Sequence, residues 1–346
     1  MTDIHVSERQ RPFADRLYEA VRTKDTRVCV GIDPVIDRLP VELRERALAR
    51  LYPAQKRIYN MQLHDIWCAD GHKADVFVKD EAGETFRPIV MGWMDVRSRV
   101  LLGWAVAKSE TADLVRRALH QAITRSNAVP REALMDNGRA FASKEISGGA
   151  PNRYRFRVKE NELVGTLTLL GVGMIWATPG HGQSKPIERY WQLLTEDLAK
   201  HPDLTRAYCG KDSASKPEHF DMKKAVPLAV FKRVLAEAIA DKHVRGHRGN
   251  AMDGKSPQTV YEELAHTTPI RQPTAAQIRF CLMTAEATRL KGEEGSIQLN
   301  GNRYWSPEIS GLSRTATYTV RYNPEDAQDP VSLYLNERFI CEVPIV

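Results

Sequence analysis

Residues 63–104 read LHDIWCADGHKADVFVKDEAGETFRPIVMGWMDVRSRVLLGW, and this stretch decides the fold. Runs of β-branched and aromatic residues alternate in it with short turn segments, which predicts three or four strands in a meander. Farther along the chain, helices and strands alternate. Apolar residues at helical spacing predict helices near residues 111–124, 163–170, 184–200 and 228–242, and short apolar runs predict strands at 133–135 and 173–177.

This order of paired strands, followed by alternating helices and strands, is typical of a ribonuclease-H-like α/β domain, a mixed sheet flanked by helices. From residue 296 onward, runs of β-branched and aromatic residues are bounded by Asn-Gly and Asn-Pro pairs, which predicts a small all-β barrel. A Pro- and Thr-rich segment between the two parts predicts a linker. We therefore predict an α/β domain over residues 49–265, a linker over 266–280 and a β-barrel over 281–346.

The composition is that of a globular protein with a basic balance. The 346 residues carry a formal net charge of +6 and a sequence pI near 9.0, which is compatible with a nucleic-acid partner without proving one. The five cysteines are scattered, so neither a zinc site nor a disulfide framework is expected. No apolar run reaches the ~18 residues of a membrane span, and the polar N-terminus does not resemble a signal peptide. We expect a cytoplasmic protein.

Three carboxylates stand where backbone geometry can bring them together. We place Asp70 at the end of the first strand, Asp136 after the strand that follows the first long helix, and Glu188 in the first turns of a later helix. Neighbouring strand ends and a facing helix can present all three on one side of a sheet. Taken singly, each residue has a simpler explanation, because Asp before Gly is common in turns and Glu is common in first helical turns.

Such a set of carboxylates suits phosphodiester chemistry. Two Mg²⁺ ions about 3.5–4 Å apart can clamp the attacking and leaving oxygens of an in-line displacement. Because Mg²⁺ binds through a few carboxylates together with water and phosphate oxygens, three carboxylates are sufficient without His or Cys ligands. The competing candidates for the first position are Asp65, Asp75 and Asp95, of which Asp95 is the second choice.

Several blocks of sequence carry a family resemblance: LYPAQKR at 51–57, the meander stretch, GGAPNRYRFRVKE at 148–160, GQSKPIERYW at 182–191 and RFICE at 338–342. In this order they resemble the catalytic core and C-terminal β-barrel of bacteriophage Mu-like DDE transposases, over roughly residues 49–346. The resemblance implies a DNA transposase that nicks the 3′ ends of its element with water and then joins the freed 3′-OH to target DNA.

The resemblance also assigns the triad residue by residue. Asp70 matches the Asp of a D-G motif, Asp136 the Asp before Asn, and Glu188 the Glu after Lys-Pro and an apolar residue. It implies two Mg²⁺ ions, with Mn²⁺ as a substitute, one shared by Asp70 and Asp136 and the other by Asp70 and Glu188. The implied partners are element-end and target DNA, bound by a homo-oligomer.

Basic residues predict the contacts with DNA phosphates. The predicted DNA-binding residues are Arg153, Arg155, Arg157, Lys159, Lys185 and Arg189. The first four would share one face of a strand, where charge can equally guard a sheet edge against aggregation. A Gly-His-Gly loop at 180–182 and the basic residues Arg245, His247 and Arg248 fit either a DNA-facing surface or a plain one.

Residues 12–47 carry a different resemblance. FADRLYEAVRTKDTRVCVGIDPVIDRLPVELRERA resembles the opening of orotidine 5′-monophosphate decarboxylase, with Asp33 in its VCVGIDP strand. One βα unit cannot complete an eight-unit barrel, and the D-x-K-x-x-D array of that family is missing. We predict a fused fragment at 1–48 that has no decarboxylase activity and that is either loosely packed or docked on the core through Phe13, Leu17 and Val21.

No segment of the chain resembles the end-recognition domains of Mu-like transposases. Two functions therefore follow from the sequence. The first is a metal-dependent DDE transposase core, favoured by the complete triad. The alternative is a non-catalytic remnant that binds DNA or assembles with an intact transposase.

Overall fold

A computed structural model describes residues 58–150, 165–177, 185–210, 221–247, 249, 251–324, 326, 328–336 and 338–346. All of them lie in one compact unit, Gln55–Val346. The predicted DNA-binding strand at 153–159, the loop at 180–182, Arg248 and the decarboxylase-like segment lie outside the described residues.

The strands of the α/β part are β1 Ile66–Lys73, β2 Val78–Lys79, β3 Thr85–Phe86, β4 Ile89–Asp95, β5 Leu101–Ala107, β6 Glu132–Met135, β7 Gly173–Trp176 and β8 Val226–Pro227. Five of them form a mixed sheet in the order β5-β4-β1-β6-β7. The first three are antiparallel, as a meander requires, and β6 and β7 add to β1 in parallel. β2, β3 and β8 form a small separate sheet.

The described α-helices are α1 Ala112–Ser126, α2 Lys144–Ser147, α3 Thr166–Leu169, α4 Pro186–Lys200, α5 Leu228–Val244, α6 Pro257–Ala265, α7 Ala275–Leu282 and α8 Pro307–Ser310. The long helices predicted near 111–124, 184–200 and 228–242 are confirmed as α1, α4 and α5. Together with the mixed sheet, they confirm the ribonuclease-H-like α/β class.

Helix α1 covers one face of the sheet. It begins at the N-cap Thr111, whose side chain accepts a hydrogen bond from the Leu114 N–H, and it buries Leu114, Leu119 and Ile123 against the strands. The contact with β5 is unusually close, because a Cβ on Gly103 would stand 2.3 Å from the backbone N of Ala122. The absence of a side chain at Gly103 therefore allows α1 to pack closely against β5.

Helices α4 and α5 cover the opposite face. Their buried side chains, among them Ile187, Trp191 and Phe231, join Cys68 and Met94 of the sheet in a second apolar cluster. Burying large apolar side chains of this kind contributes about 1.5–3 kcal/mol each relative to exposure. The sheet is thus held between α1 and the α4–α5 pair, which fixes the first turn of α4 beside the carboxyl ends of β1 and β6.

The C-terminal part is all β apart from the short helix α8. Its strands are β9 Thr284–Thr288, β10 Ile297–Leu299, β11 Asn302–Tyr304, β12 Tyr318–Tyr322, β13 Val331–Leu335 and β14 Arg338–Val343. Four form an antiparallel sheet in the order β14-β13-β12-β9, and β10 and β11 form a hairpin. A bridge between Tyr304 and Ile345 joins the hairpin to the segment that follows β14. The predicted all-β C-terminal part is confirmed as this antiparallel sheet and hairpin.

Two details differ from the sequence prediction. Asp70 is not at the end of its strand, since β1 continues to Lys73. Part of the predicted linker at 266–280 is helical, because Thr274 and Gln277 form a capping box that starts α7. That helix packs on α1 and places Cys281 in the apolar cluster beneath it.

Arg116 of α1 joins the α/β part to the C-terminal sheet. Its guanidinium donates hydrogen bonds to the Met283 carbonyl and to the Thr284 hydroxyl. The residue is 1% exposed, and the carboxylates of Asp113 and Glu145 lie 3.2 and 3.5 Å from its Nη2. A buried cation with these partners ties the start of β9 to the face of α1.

Candidate active site

The register between two parallel strands brings the two aspartates level. β1 and β6 pair with Cys68 opposite Leu134, an offset of 66 residues. The same offset separates Asp70 from Asp136. Because paired parallel strands advance together, both carboxylates come to the same edge of the sheet. The spacing noticed in the sequence is thus the register of the sheet.

The turn that follows β6 fixes the second carboxylate. Asp136 Oδ1 accepts a hydrogen bond of 2.7 Å from the Gly138 N–H. The amide of Asn137 donates to the Ala177 carbonyl at 2.9 Å, which ties the turn to the end of β7. The Asp-Asn-Gly sequence therefore has a structural task at each position, while one carboxylate oxygen of Asp136 remains available.

The start of α4 supplies the third carboxylate. Pro186 occupies the first turn of the helix, where its missing N–H costs no hydrogen bond. Glu188 lies in the same turn, and its N–H donates to the Lys185 carbonyl at 2.9 Å. The sequence prediction that Glu188 belongs to the first helical turn is confirmed.

The side chain of Lys185 reaches into the space between the three carboxylates. Its Nζ lies 2.7 Å from Asp70 Oδ1 and 4.0 Å from both Asp136 Oδ2 and Glu188 Oε1. The residue is only 4% exposed, so its charge is compensated by these carboxylates rather than by water. The structure thus brings Asp70, Asp136 and Glu188 together around one cationic group.

The electrostatics show a surplus of negative charge. Burial raises the pKa of the Asp70 carboxyl, the Lys185 ammonium opposes that rise, and Asp136 and Glu188 add to it. Among the described residues, three carboxylates face this one ammonium, which therefore does not compensate their charge fully. A group of carboxylates in this state favours the binding of further positive charge.

A fourth carboxylate, which sequence reasoning missed, lies at the same edge. Glu110 follows β5 and directly precedes the N-cap of α1. Burial raises the pKa of its carboxyl, Asp136 and Asp70 raise it further, and Lys185 opposes them. Strand direction could have revealed it, because the third strand of a meander ends at the same edge of the sheet as the first.

The competing aspartates have structural partners away from this cluster. Asp95 is fully buried and accepts hydrogen bonds from the N–H groups of His64 and Ser98 and from the Ser98 hydroxyl. Asp75 pairs with Arg87 at 2.6 Å. Asp65 accepts from the Gln62 N–H at 2.8 Å. The geometry therefore favours Asp70 for the first position.

Two of the predicted DNA-binding residues are described. Arg189 is exposed at the start of α4 and donates to the Gln192 side chain at 3.0 Å. Lys185 is buried and directed at carboxylates, so a contact with a phosphate would require its ammonium to leave this position. Both DNA contacts stay predictions. Arg245 forms ion pairs with Asp241 and Asp197, as a structured surface turn would.

The donor set suits a hard divalent cation, since carboxylate oxygens are the ligands that Mg²⁺ prefers. The Lys185 ammonium sets the spacing of these carboxylates, however. Its Nζ lies 4.0 Å from Asp136 Oδ2 and from Glu188 Oε1, about twice a Mg–O distance of ~2.1 Å. Accordingly, no group of three or more His, Cys, Asp or Glu side chains within the described ranges is spaced to hold a metal ion. The carboxylates are ligands of the type that Mg²⁺ prefers, and the Lys185 ammonium occupies the position among them where positive charge is favoured.

Comparison with protein families shows to which family this chain belongs. The family described as bacteriophage Mu transposase matches residues 58–264, and the Mu transposase C-terminal domain matches residues 279–342. The chain belongs to the bacteriophage Mu transposase family. The first match, a DDE domain, contains all three carboxylates of the cluster, and the second covers most of the C-terminal sheet.

A curated member of the Mu transposase family supports the same relationship. The chain is 35% identical over 309 residues to "Mu-like prophage FluMu transposase A" of Haemophilus influenzae. The alignment covers 83% of this chain and 44% of that protein, so the chain spans less than half the length of this relative.

Among solved structures, the chain matches one from the simian T-cell lymphotropic virus intasome in complex with the PP2A regulatory subunit B56 gamma. The match covers 87% of each chain, at 16% identity and a TM-score of 0.35, which is too weak to bear on fold or function.

The matches to the Mu transposase family begin at residue 58, so the decarboxylase-like resemblance of residues 12–47 stays a prediction. Within the described residues, no helix has both the length and the apolar character needed to cross a membrane.

Proposed function

We propose that this chain is the catalytic core of a DNA transposase, with Asp70, Asp136 and Glu188 as its metal-binding triad. The observation that carries the proposal is the convergence of these three carboxylates on the Lys185 ammonium, at 2.7 to 4.0 Å. Membership of the Mu transposase family supports the same reading, since all three residues fall inside the matched DDE domain.

The triad would hold two Mg²⁺ ions, with Mn²⁺ as a substitute. Asp70 and Asp136, which the strand register places level, would hold one of them, and Asp70 and Glu188 the other. Bound divalent cations would stabilise the attacking and leaving oxygens of a phosphodiester displacement. The protein's own contribution is placement, because the β1–β6 register and the start of α4 fix the carboxylates before DNA arrives.

The proposed reaction has two steps at one site. In the first, a water oxygen bonds to the phosphorus at the 3′ end of the element, and the bond from phosphorus to the 3′ oxygen breaks. In the second, the freed 3′-OH bonds to a phosphorus of target DNA, and a target 3′ oxygen leaves. Neither step forms a covalent intermediate with the protein. A homo-oligomer on DNA would bring two element ends to one target.

The test is nicking of supercoiled plasmid DNA by the full chain with Mn²⁺ or Mg²⁺. We expect metal-dependent nicking by the unmodified protein and none by Asp136→Asn, which keeps the shape of the side chain and removes its charge. A matched control is Asp203→Asn, because that carboxylate is exposed and pairs with Arg233 outside the cluster.

The second function, a non-catalytic DNA-binding remnant, gives a different result. It predicts that the unmodified protein shifts DNA in a gel but does not nick it in either metal. To exclude a strict requirement for element ends, the assay is repeated on DNA pre-nicked at the 3′ end of a Mu-like element. Absence of both nicking and joining would overturn the proposal.

A further inference from the structure

Glu110 stands out among the remaining charged groups because its carboxylate lies close to the glycines that follow Asp70 and Asp136. A Cβ built on Gly71 would stand 2.9 Å from Glu110 Oε2, and a Cβ on Gly138 would stand 3.4 Å from Glu110 Oε1. Gly71 follows Asp70 directly, and Gly138 follows Asp136 by two residues. Both glycines therefore leave the room in which the Glu110 carboxylate lies.

The carboxylates of Glu110 and Asp136 both lie close to Gly138. The same Cβ position on Gly138 lies 2.7 Å from Asp136 Oδ1 and 3.4 Å from Glu110 Oε1. Two carboxylate oxygens that approach one point to this extent face a common space. Like charges that face a common space repel unless a cation lies between or beside them.

The described part of the chain gives the Glu110 carboxylate no ion-pair partner of its own. Lys185, which acts on it electrostatically, has its nearest contact with Asp70 instead. Among the described residues, four carboxylates thus share one ammonium at this edge of the sheet. Structural carboxylates elsewhere in the protein, such as Asp75 and Asp197, each have a basic side chain in contact.

We propose that Glu110 is a fourth carboxylate of the cation site, beside Asp70 and Asp136, and that it strengthens the binding of the divalent cation these two residues hold. The inference rests on the proposed function, because it assumes that the triad binds metal. It also gives the glycine of the Asp-Gly pair a reason: a side chain at residue 71 would displace the end of Glu110.

The first experiment measures Mn²⁺ binding to the full chain without DNA, from the rise of the melting temperature with Mn²⁺ concentration. Glu110→Gln is expected to weaken Mn²⁺ binding about tenfold, the lower end of what loss of a supporting carboxylate costs a metal site. The matched control is Glu132→Gln, because Glu132, like Glu110, is an exposed residue. It lies at the start of β6, the opposite end of that strand from Asp136. It should bind Mn²⁺ as the unmodified protein does.

Asp136→Asn separates this inference from the proposed function. Loss of Mn²⁺ binding in Asp136→Asn together with unchanged binding in Glu110→Gln would leave the triad intact and overturn the role of Glu110. No Mn²⁺-dependent stabilisation of the unmodified protein would overturn both. Weaker binding in both variants, with the Glu132→Gln control unaffected, is the expected result.

A double substitution tests the contact itself. Gly71→Ala should cost little stability, because the atoms it would meet are the ends of the flexible side chains of Glu110 and Met91. It should weaken Mn²⁺ binding by displacing the Glu110 carboxylate. In a Glu110→Ala background the same change should have no further effect. A further loss of binding in that background would mean that residue 71 acts through Asp70, which would overturn the inference.

Discussion

The ammonium of Lys185 lies 2.7 Å from the carboxylate of Asp70 and is almost fully buried. Replacing Lys185 by Met keeps much of the side-chain volume and removes the only cation that the described residues place among these carboxylates. Breaking a buried pair in this way costs about 3–5 kcal/mol, so we expect a lower urea midpoint without metal. Lys200→Met, at the exposed end of the same helix, should have little effect.

The same variant should respond more strongly to Mn²⁺ than the unmodified protein. With the ammonium gone, a divalent cation meets no competitor for the carboxylates, and its binding restores the lost compensation. The readout is the increase in melting temperature at saturating Mn²⁺. An equal or smaller increase in Lys185→Met would show that the ammonium does not occupy the cation position.

The contact between Gly103 and α1 gives a second prediction. A Cβ at residue 103 would stand 2.4 Å from the Ala118 carbonyl oxygen, and backbone atoms cannot move aside as a flexible side chain can. Gly103→Ala should therefore lower the free energy of unfolding by about 3 kcal/mol, as overpacking of a core does. Gly311→Ala is the control, since its Cβ would meet open space. Equal stability of the two variants in urea would contradict the close packing.

His243 predicts a pH dependence of stability. Its Nε2 accepts a hydrogen bond from the Leu101 N–H at 3.0 Å, and burial, helped by Arg125, lowers its pKa to about 4 from the ordinary 6.5. Between these values the unfolded chain binds a proton that the folded protein does not. Stability is therefore fully present above pH ~6.5 and falls as the pH decreases toward ~4, by on the order of 3 kcal/mol.

His243→Gln keeps an acceptor for the Leu101 N–H and does not titrate. Urea midpoints measured at a series of pH values should fall less steeply below pH ~6.5 in this variant than in the unmodified protein. The carboxylates titrate in both proteins, so the difference between the two curves isolates His243. Superimposable curves would mean that the pKa of His243 is the same in the folded and the unfolded chain, which would contradict the prediction.

Strand alternation and helical spacing are local properties of the chain, so they predicted the long helices and the strands of the sheet. The spacing of Asp70, Asp136 and Glu188 made them candidates, and the resemblance to Mu-like transposases assigned them as a triad. The sequence gives the 66-residue separation of Asp70 and Asp136, but only the pairing of β1 with β6 in the structure shows that this separation equals the strand register. The burial of Lys185 was not predictable, since lysine is rarely buried without a partner and the partner lies 115 residues away.

Glu110 and α7 were missed for different reasons. An acidic residue just before an N-cap is common at helix starts, where it favours the helix dipole, so Glu110 carried no distinct signal. The segment before α7 is rich in Pro and Thr, which hid the capping box between Thr274 and Gln277. The basic strand at 153–159 lies outside the described residues, and its role stays a prediction.

Arg116 supplies a fourth prediction. Arg116→Met keeps the apolar stem in the core and leaves the Met283 carbonyl and Thr284 hydroxyl without their buried donor. Unsatisfied buried groups cost about 1–3 kcal/mol each, so thermal unfolding should begin at a clearly lower temperature. Arg117→Met is the neighbouring control, because Arg117 is partly exposed and such pairs contribute about 0–1 kcal/mol. Equal melting temperatures would contradict this role.

The same arginine constrains how the protein is made. Met283 leaves the ribosome 167 residues after Arg116, on the order of 10 s later at a synthesis rate of about 5–20 residues per second. During that interval the guanidinium has neither of these acceptors, and α1 lacks the helix that covers its flank. A nascent chain that stalls before Met283 should therefore be cleaved readily by proteases, even though all three carboxylates have already been synthesised.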